Sequence, residues 1–388
     1  MAELTMGVLA RSAKENEKRL PIHPRHFDRI DPDLRARMWL EPGYGNHYGV
    51  SDDQLAPLIA GFAPHAALVD RCDILLLPKP TIADVTAMRE GQVLWGWPHC
   101  VQDPVLTQAA IDQRLTLIAW EAMNHYDSAG RFAVHVFHAN NELAGYASVL
   151  HAMSLRGMTG HYGRRRNAVL LGFGNTARGA ATALASLGVQ EIVALTMREV
   201  HLVADPMPGV TLGGLEWRDD GGRTTTLKGS GPVPTEEYLA DFDIIVNCVL
   251  QDTDAPFLFL TETDLERLQP GTLIVDVSCD EGMGFSFARP TTFADPMFTV
   301  GDDIHYYAVD HSPSYLWESA TWENSEALIP HLRDVMTGAW DSNETVRRAI
   351  EIRDGVIENP KILSFQHRAP EFPHRPLDRE SGTDTGSA

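Results

Sequence analysis

Short apolar runs alternate with longer polar or amphipathic stretches along most of the chain, starting at residues 6–10 and recurring at 38–40, 73–77, 93–97 and 117–120. Runs of this length, each followed by helical or polar sequence, are the pattern of βα units whose strands are buried on both faces of a parallel sheet. A charged segment follows the first run and ends at Leu20-Pro21-Ile22-His23-Pro24, where two prolines stop any helix. A helical pattern covers 141–156, with Leu143, Ala147 and Leu150 at helical spacing. A second series of strands is predicted at 167–171, 192–195, 244–248 and 273–277. The stretch 205–232, rich in Gly, Pro, Asp and Thr, reads as a loop or hairpin excursion. Strand and helix character resumes beyond Ile304, where the chain is expected to pack back onto the first domain, and 367–388 reads as a mobile tail.

The length of 388 residues, 44% of them hydrophobic, suits two such α/β domains with room for a cleft between them. The formal charge of −21 changes the picture of partners, because it repels phosphate backbones and anionic membranes. Nucleic acid and membrane are therefore excluded as partners, and an anionic small molecule must be held by a few local cations. Cys72, Cys100, Cys248 and Cys279 are widely spaced, and neither a disulfide framework nor a metal set is expected from them. The chain opens directly into its first strand without a basic leader or a long apolar span, so the expected address is the cytoplasm.

The most specific local signal lies at Val169 to Ala180. An apolar strand enters a GxGxxA turn, Gly172-Phe173-Gly174-Asn175-Thr176-Ala177, and an Ala-rich helix starts there. Gly172 permits the tight turn, Gly174 admits a pyrophosphate to the backbone, and Ala177 lets helix and strand pack closely. The helix N-terminus, with Asn175 and Thr176, then faces the phosphate charge. After the next strand comes Thr196-Met197-Arg198 instead of the acid that usually meets an NAD ribose. A hydroxyl and a guanidinium suit the extra phosphate of NADP, which is the favoured cofactor, while the adjacent Glu199 keeps NAD possible.

Taken in order and spacing, several segments resemble the alanine dehydrogenase and transhydrogenase N-terminal superfamily over most of residues 6–335. They are Arg19-Leu20-Pro21, Lys79 at a strand end, Gly96-Trp97-Pro98-His99, Ala144-Gly145-Tyr146-Ala147, Gly172-Phe173-Gly174 and Val275-Asp276-Val277-Ser278-Cys279-Asp280. Within that superfamily the chain looks most like carboxyethylornithine synthase and lysine-forming saccharopine dehydrogenase. The resemblance implies an α/β fold of two Rossmann-like domains, with a dinucleotide domain (141–304) inserted into a substrate domain (1–140 and 305–366) and the active site in the cleft. It also implies a homo-oligomer.

The residue types make chemical sense beside that likeness. Lys79 follows a buried strand, where partial desolvation would let its amine act as a base, although a snorkelling surface lysine fits the position too. His99 ends an apolar run and exchanges protons near neutral pH, as amine–carbonyl condensation requires. Glu121, just after the 117–120 run, would tune either group or form a structural ion pair. Arg19 resembles the family's arginine for the substrate carboxylate, Arg131 is a candidate for a second carboxylate or a solvated turn residue, and Asp280 resembles the active-site aspartate. Cys248 and Asp310 join the cofactor-contacting positions by the same likeness.

The Asp310-His311-Ser312-Pro313-Ser314 run leans toward saccharopine dehydrogenase, whereas Arg289-Pro290-Thr291-Thr292-Phe293 leans toward alanine dehydrogenase. The leading expectation is an NAD(P)H-dependent reductive condensation of a 2-oxo acid with an amino acid. Oxidative deamination of a simple amino acid, or a non-catalytic dinucleotide-binding module, are the alternatives.

Overall fold

The computed structural model describes residues 3–203, 205–217, 223–227, 231–251 and 256–377. It divides into two compact units, Met1–Val136 with Ser325–Ala388, and Phe137–Asn324.

In the first unit six strands run parallel in the order Thr116–Ala119, Val93–Gly96, Ile74–Leu76, Met6–Val8, Met38–Leu40 and Gly61–Phe62. Ile350–Arg353 adds an antiparallel strand beside Thr116–Ala119, and Val356–Ile357 pairs antiparallel with it at the edge. The strand order reverses between Met6–Val8 and Ile74–Leu76, so the connections leave these two neighbours on opposite faces of the sheet. In doubly wound folds that switch point opens a crevice at the carboxyl ends of the strands. Lys79 lies just past the carboxyl end of Ile74–Leu76, and the Ser12 hydroxyl, beyond the other switch strand, donates to the Lys79 carbonyl at 2.5 Å.

The second unit repeats the plan. Parallel strands stand in the order Val210–Trp217, Glu191–Thr196, Asn167–Leu171, Ile244–Asn247, Leu273–Asp276 and Ile304–Tyr307, with the switch between Asn167–Leu171 and Ile244–Asn247. Ala168 and Leu170 enter one apolar core while Val169 and Leu171 enter the other, on the opposite face. This is why the strand reads as a continuous apolar run. Helix His138–Leu155 crosses helix Asn175–Ser186 at very short range: a Cβ on Gly145 would stand 1.9 Å from the Thr176 carbonyl oxygen, and one on Gly179 1.7 Å from that of Glu142.

The described structure differs from the expected bounds at three places. The inserted unit runs to Asn324, not 304, because Ile304–Tyr307 is fully buried, pairs in parallel with Leu273–Asp276, and sends the Tyr306 hydroxyl onto Asp276. Its start is Phe137, where the long helix begins, instead of 141. The segment 367–377 is no loose tail: buried Arg368 donates to the Pro104 carbonyl (3.0 Å) and Gln108 Oε1 (2.6 Å), and His374 Nε2 accepts from the Ile357 amide at 3.1 Å. Residues 378–388 of that expected tail lie outside the described residues. Within 205–232, Val210–Trp217 extends the parallel sheet and pairs with Arg223–Leu227 as an antiparallel hairpin. No helix among the described residues is long and apolar enough to cross a membrane.

Candidate active site and dinucleotide site

In the first unit the chain brings Lys79, His99 and Glu121 together from three adjacent strand ends. Lys79 Nζ lies 2.6 Å from His99 Nε2. His99 follows the Val93–Gly96 strand through Trp97 and Pro98, and its backbone is left-handed (φ 49°), a conformation that a non-glycine residue holds only when its surroundings fix it. Part of that fixing comes from Glu121, whose Oε1 accepts the His99 amide at 2.7 Å and lies 3.9 Å from Nδ1. A lysine amine and an imidazole at this distance share one proton between them. If Nε2 accepts from the amine, the ring carries its hydrogen on Nδ1, toward Glu121.

Glu121 itself sits in an unusual state. Its Oε2 is closed off from solvent and has no hydrogen-bond partner among the described residues. Burial, and after it the nearby carboxylate of Glu351, push its carboxyl up to about 8. Glu351, buried on the antiparallel strand Ile350–Arg353 and held by Asn359 Nδ2, is itself raised by burial. The carboxyl behind His99 therefore favours its protonated form more than an exposed glutamate does.

Arg19 is buried in the loop after the first strand. Its Nε donates to Glu17 Oε1 at 2.9 Å, its Nη2 donates to Glu17 Oε2 at 2.5 Å, and its Cζ stands 5.0 Å from the Trp97 ring, two residues before His99. The fork expected to meet a substrate carboxylate thus already holds one. Sequence reasoning missed Glu17; the acid two residues before the arginine was the available signal. Arg131 lies at the exposed tip of the hairpin formed by Asn124–Tyr126 and Phe132–His135, with its guanidinium on Asp127 at 2.8 Å. That is the solvated-turn placement.

In the second unit Gly172 adopts φ 89°, and a Cβ there would press on Val249 Cγ2 at 3.2 Å and on the Cys248 carbonyl at 3.3 Å. Gly174 caps helix Asn175–Ser186, and the place a Cβ would take on it has no atom of the described residues within 4 Å. That opening over a helix N-terminus, with Asn175 and Thr176 in the first turn and Ala177 buried behind, fits a dinucleotide pyrophosphate. Cys248 follows the switch strand, its amide donating to the Leu171 carbonyl at 2.9 Å, and burial raises its thiol well above the usual range. Thr196 is buried, and its hydroxyl accepts the Arg198 amide at 3.1 Å. Arg198 Nη2 donates to the Phe173 carbonyl at 2.6 Å, whereas Glu199 is exposed and pairs with His201 at 3.2 Å.

Asp276 is a residue whose importance the sequence did not reveal. Fully buried at the end of Leu273–Asp276, it accepts from the Tyr306 hydroxyl, Asn247 Nδ2 (3.0 Å) and the amides of Ser278 (3.1 Å) and Cys279 (3.3 Å). Burial still pushes its carboxyl up to about 6. By holding Ser278 and left-handed Cys279 it orients the turn that carries Asp280, whose carboxyl is raised by burial. Asp310 lies beyond the last parallel strand, hydrogen-bonded to Nδ1 of buried His311.

A glycine loop at the switch point of one doubly wound sheet and an amine–imidazole pair at the switch point of another define the class: a protein of two Rossmann-like α/β units. The particular family follows from comparison with known proteins. Residues 7–142 match the alanine dehydrogenase/PNT N-terminal domain and residues 165–360 the alanine dehydrogenase/PNT C-terminal domain, so the chain belongs to the alanine dehydrogenase/PNT family. It is 24% identical over 333 residues to the N(5)-(carboxyethyl)ornithine synthase of Clostridium botulinum, covering 82% of this chain and 90% of that one. It is 26% identical over 366 residues to the alanine dehydrogenase of Methanococcus maripaludis, covering 90% and 89%. Among solved structures, an L-alanine dehydrogenase shares the fold with a TM-score of 0.72 at 18% identity, over 93% of this chain and 99% of that one. A transhydrogenase from Sinorhizobium meliloti does so at 0.65 and 17%, over 92% and 99%.

Proposed function

We propose that this protein is a nicotinamide-dinucleotide-dependent oxidoreductase acting on carbon–nitrogen bonds, and that it joins a 2-oxo acid to the amine of an amino acid by reductive condensation, with NADPH as the favoured reductant. The observation that carries the reading is the 2.6 Å approach of Lys79 Nζ to His99 Nε2 past the carboxyl ends of the first unit's strands. Between the substrate ammonium with the oxo carbon and the iminium with water, nitrogen loses two protons and oxygen gains two. The pair takes each in turn from nitrogen and returns it to oxygen, so its own proton count is unchanged over the step. Glu121 holds the His99 backbone in place by accepting its amide. Arg19 receives a substrate carboxylate in competition with Glu17, and Asp280 orients the amine or the ribose.

Gly172, Gly174, Asn175, Thr176, Ala177, Thr196, Arg198, Cys248 and Asp310 would hold the dinucleotide, which supplies the hydride for the imine carbon when bound. Support for NADPH comes from Arg198, turned onto the glycine loop, and from Glu199, turned onto His201. A second reading, reversible oxidative deamination, is favoured by the alanine dehydrogenases among the relatives. Oxidation of NADPH and NADH against a matrix of 2-oxo acids and amino acids, with and without ammonia, separates the two. Turnover without ammonia supports condensation, and turnover only with ammonia supports the second reading.

A further inference from the structure

Two guanidinium groups converge on one residue of the glycine loop. Arg198, past the end of Glu191–Thr196, reaches the Phe173 carbonyl at 2.6 Å. Arg178, on helix Asn175–Ser186, lays its Cζ 4.8 Å from the centroid of the Phe173 ring. Its guanidinium also stands 3.9 Å from Asp205, a carboxylate that is 96% exposed. Asp205 belongs to the segment that follows Glu191–Thr196, so Arg178 faces the side of the loop on which that strand ends. In doubly wound dinucleotide folds that strand end is where the adenosine ribose is read: an acid there accepts a 2′-hydroxyl, and arginine there meets a 2′-phosphate.

We propose that Arg178 and Arg198 together form a subsite for the ribose 2′-phosphate of an adenine dinucleotide, with Asp205 as the counter-ion that the phosphate displaces. The proposal rests on the dinucleotide reading above and adds to it a second cation and a competing carboxylate. An exposed pair at 3.9 Å contributes little, whereas a dianionic phosphate accepts charge-assisted hydrogen bonds from two forks at once. In a chain of net charge −21, two arginines at one loop are the local attraction that an anionic ligand needs.

The test is calorimetric titration of the full chain with adenosine 2′,5′-bisphosphate and with adenosine 5′-monophosphate. The unsubstituted protein is expected to bind the bisphosphate about tenfold more tightly, or better. Arg178→Gln should lose most of that preference while its affinity for the monophosphate stays the same, with thermal unfolding confirming that the variant folds. Asp205→Asn, at an exposed position, should bind the bisphosphate more tightly than the unsubstituted chain. Equal affinities for the two nucleotides in the unsubstituted chain, or a preference unchanged by both substitutions, would overturn the subsite. Titration with NADH and NADPH tells the two failures apart: binding of NADH with no 2′-phosphate preference removes the subsite alone, and binding of neither removes the dinucleotide reading with it.

Discussion

Lys79 and His99 are side chains of ordinary chemistry brought to a 2.6 Å separation, and in the proposed mechanism removing either breaks the proton exchange. Lys79→Met and His99→Ala should each lower kcat by at least about 100-fold with the fold intact, measured as NADPH oxidation beside a circular dichroism spectrum. Arg19→Gln should raise the KM for the carboxylate substrate by about tenfold. Arg131→Gln should leave it unchanged, since that guanidinium is spent on Asp127 at an exposed hairpin tip. Glu121 sets a pH dependence of its own. Its carboxyl moves from an ordinary 4.5 up to about 8 in the folded protein, so the folded state keeps a proton that the unfolded state releases. That stability is fully present below 4.5 and is lost as pH rises through about 8. Urea denaturation across this range should show the decline, and Glu121→Gln should flatten it. Lys79, His99 and Arg19 were legible because each ends an apolar run or opens a proline-flanked loop. Glu17, Glu351 and Asp276 were not, because their effect comes from burial and from partners distant in sequence.

At the scale of elements, the switch points do the positioning. Both depend on strands that are buried on both faces, with only Asn167 at a strand start half-buried, and in the second unit also on two helices close enough to exclude any side chain at Gly145 and Gly179. Gly179→Ala would place a methyl 1.7 Å from the Glu142 carbonyl oxygen, forcing the helices apart. A loss of about 3 kcal/mol in urea unfolding, with weakened dinucleotide binding, is the expected outcome. The parallel strands could be read from their apolar runs, and the glycine turn from its spacing. The outermost parallel strands could not. Val210–Trp217 carries two glycines and polar residues that conceal a strand, and Ile304–Tyr307 owes its place to pairing with Leu273–Asp276, a relation invisible along the chain. The 367–377 segment has the composition of a tail but is fastened by Arg368 and His374. Truncation after Gln366 should therefore lower the Tm of the protein, as read by thermal unfolding.

For the whole molecule, the two units carry separate halves of the proposed chemistry: proton exchange near Lys79 and His99 in one, and dinucleotide binding at the glycine loop in the other. The relatives include chains named N(5)-(carboxyethyl)ornithine synthase and alanine dehydrogenase, so the fold alone does not choose between the two readings. The choice is made by the source of the nitrogen. The most direct test is to supply NADPH, a 2-oxo acid, an amino acid labelled with heavy nitrogen and unlabelled ammonia together, and to identify the product by mass spectrometry. A secondary amine that joins both carbon skeletons through the heavy nitrogen is the predicted result, and an unlabelled amino acid derived from the 2-oxo acid would contradict it.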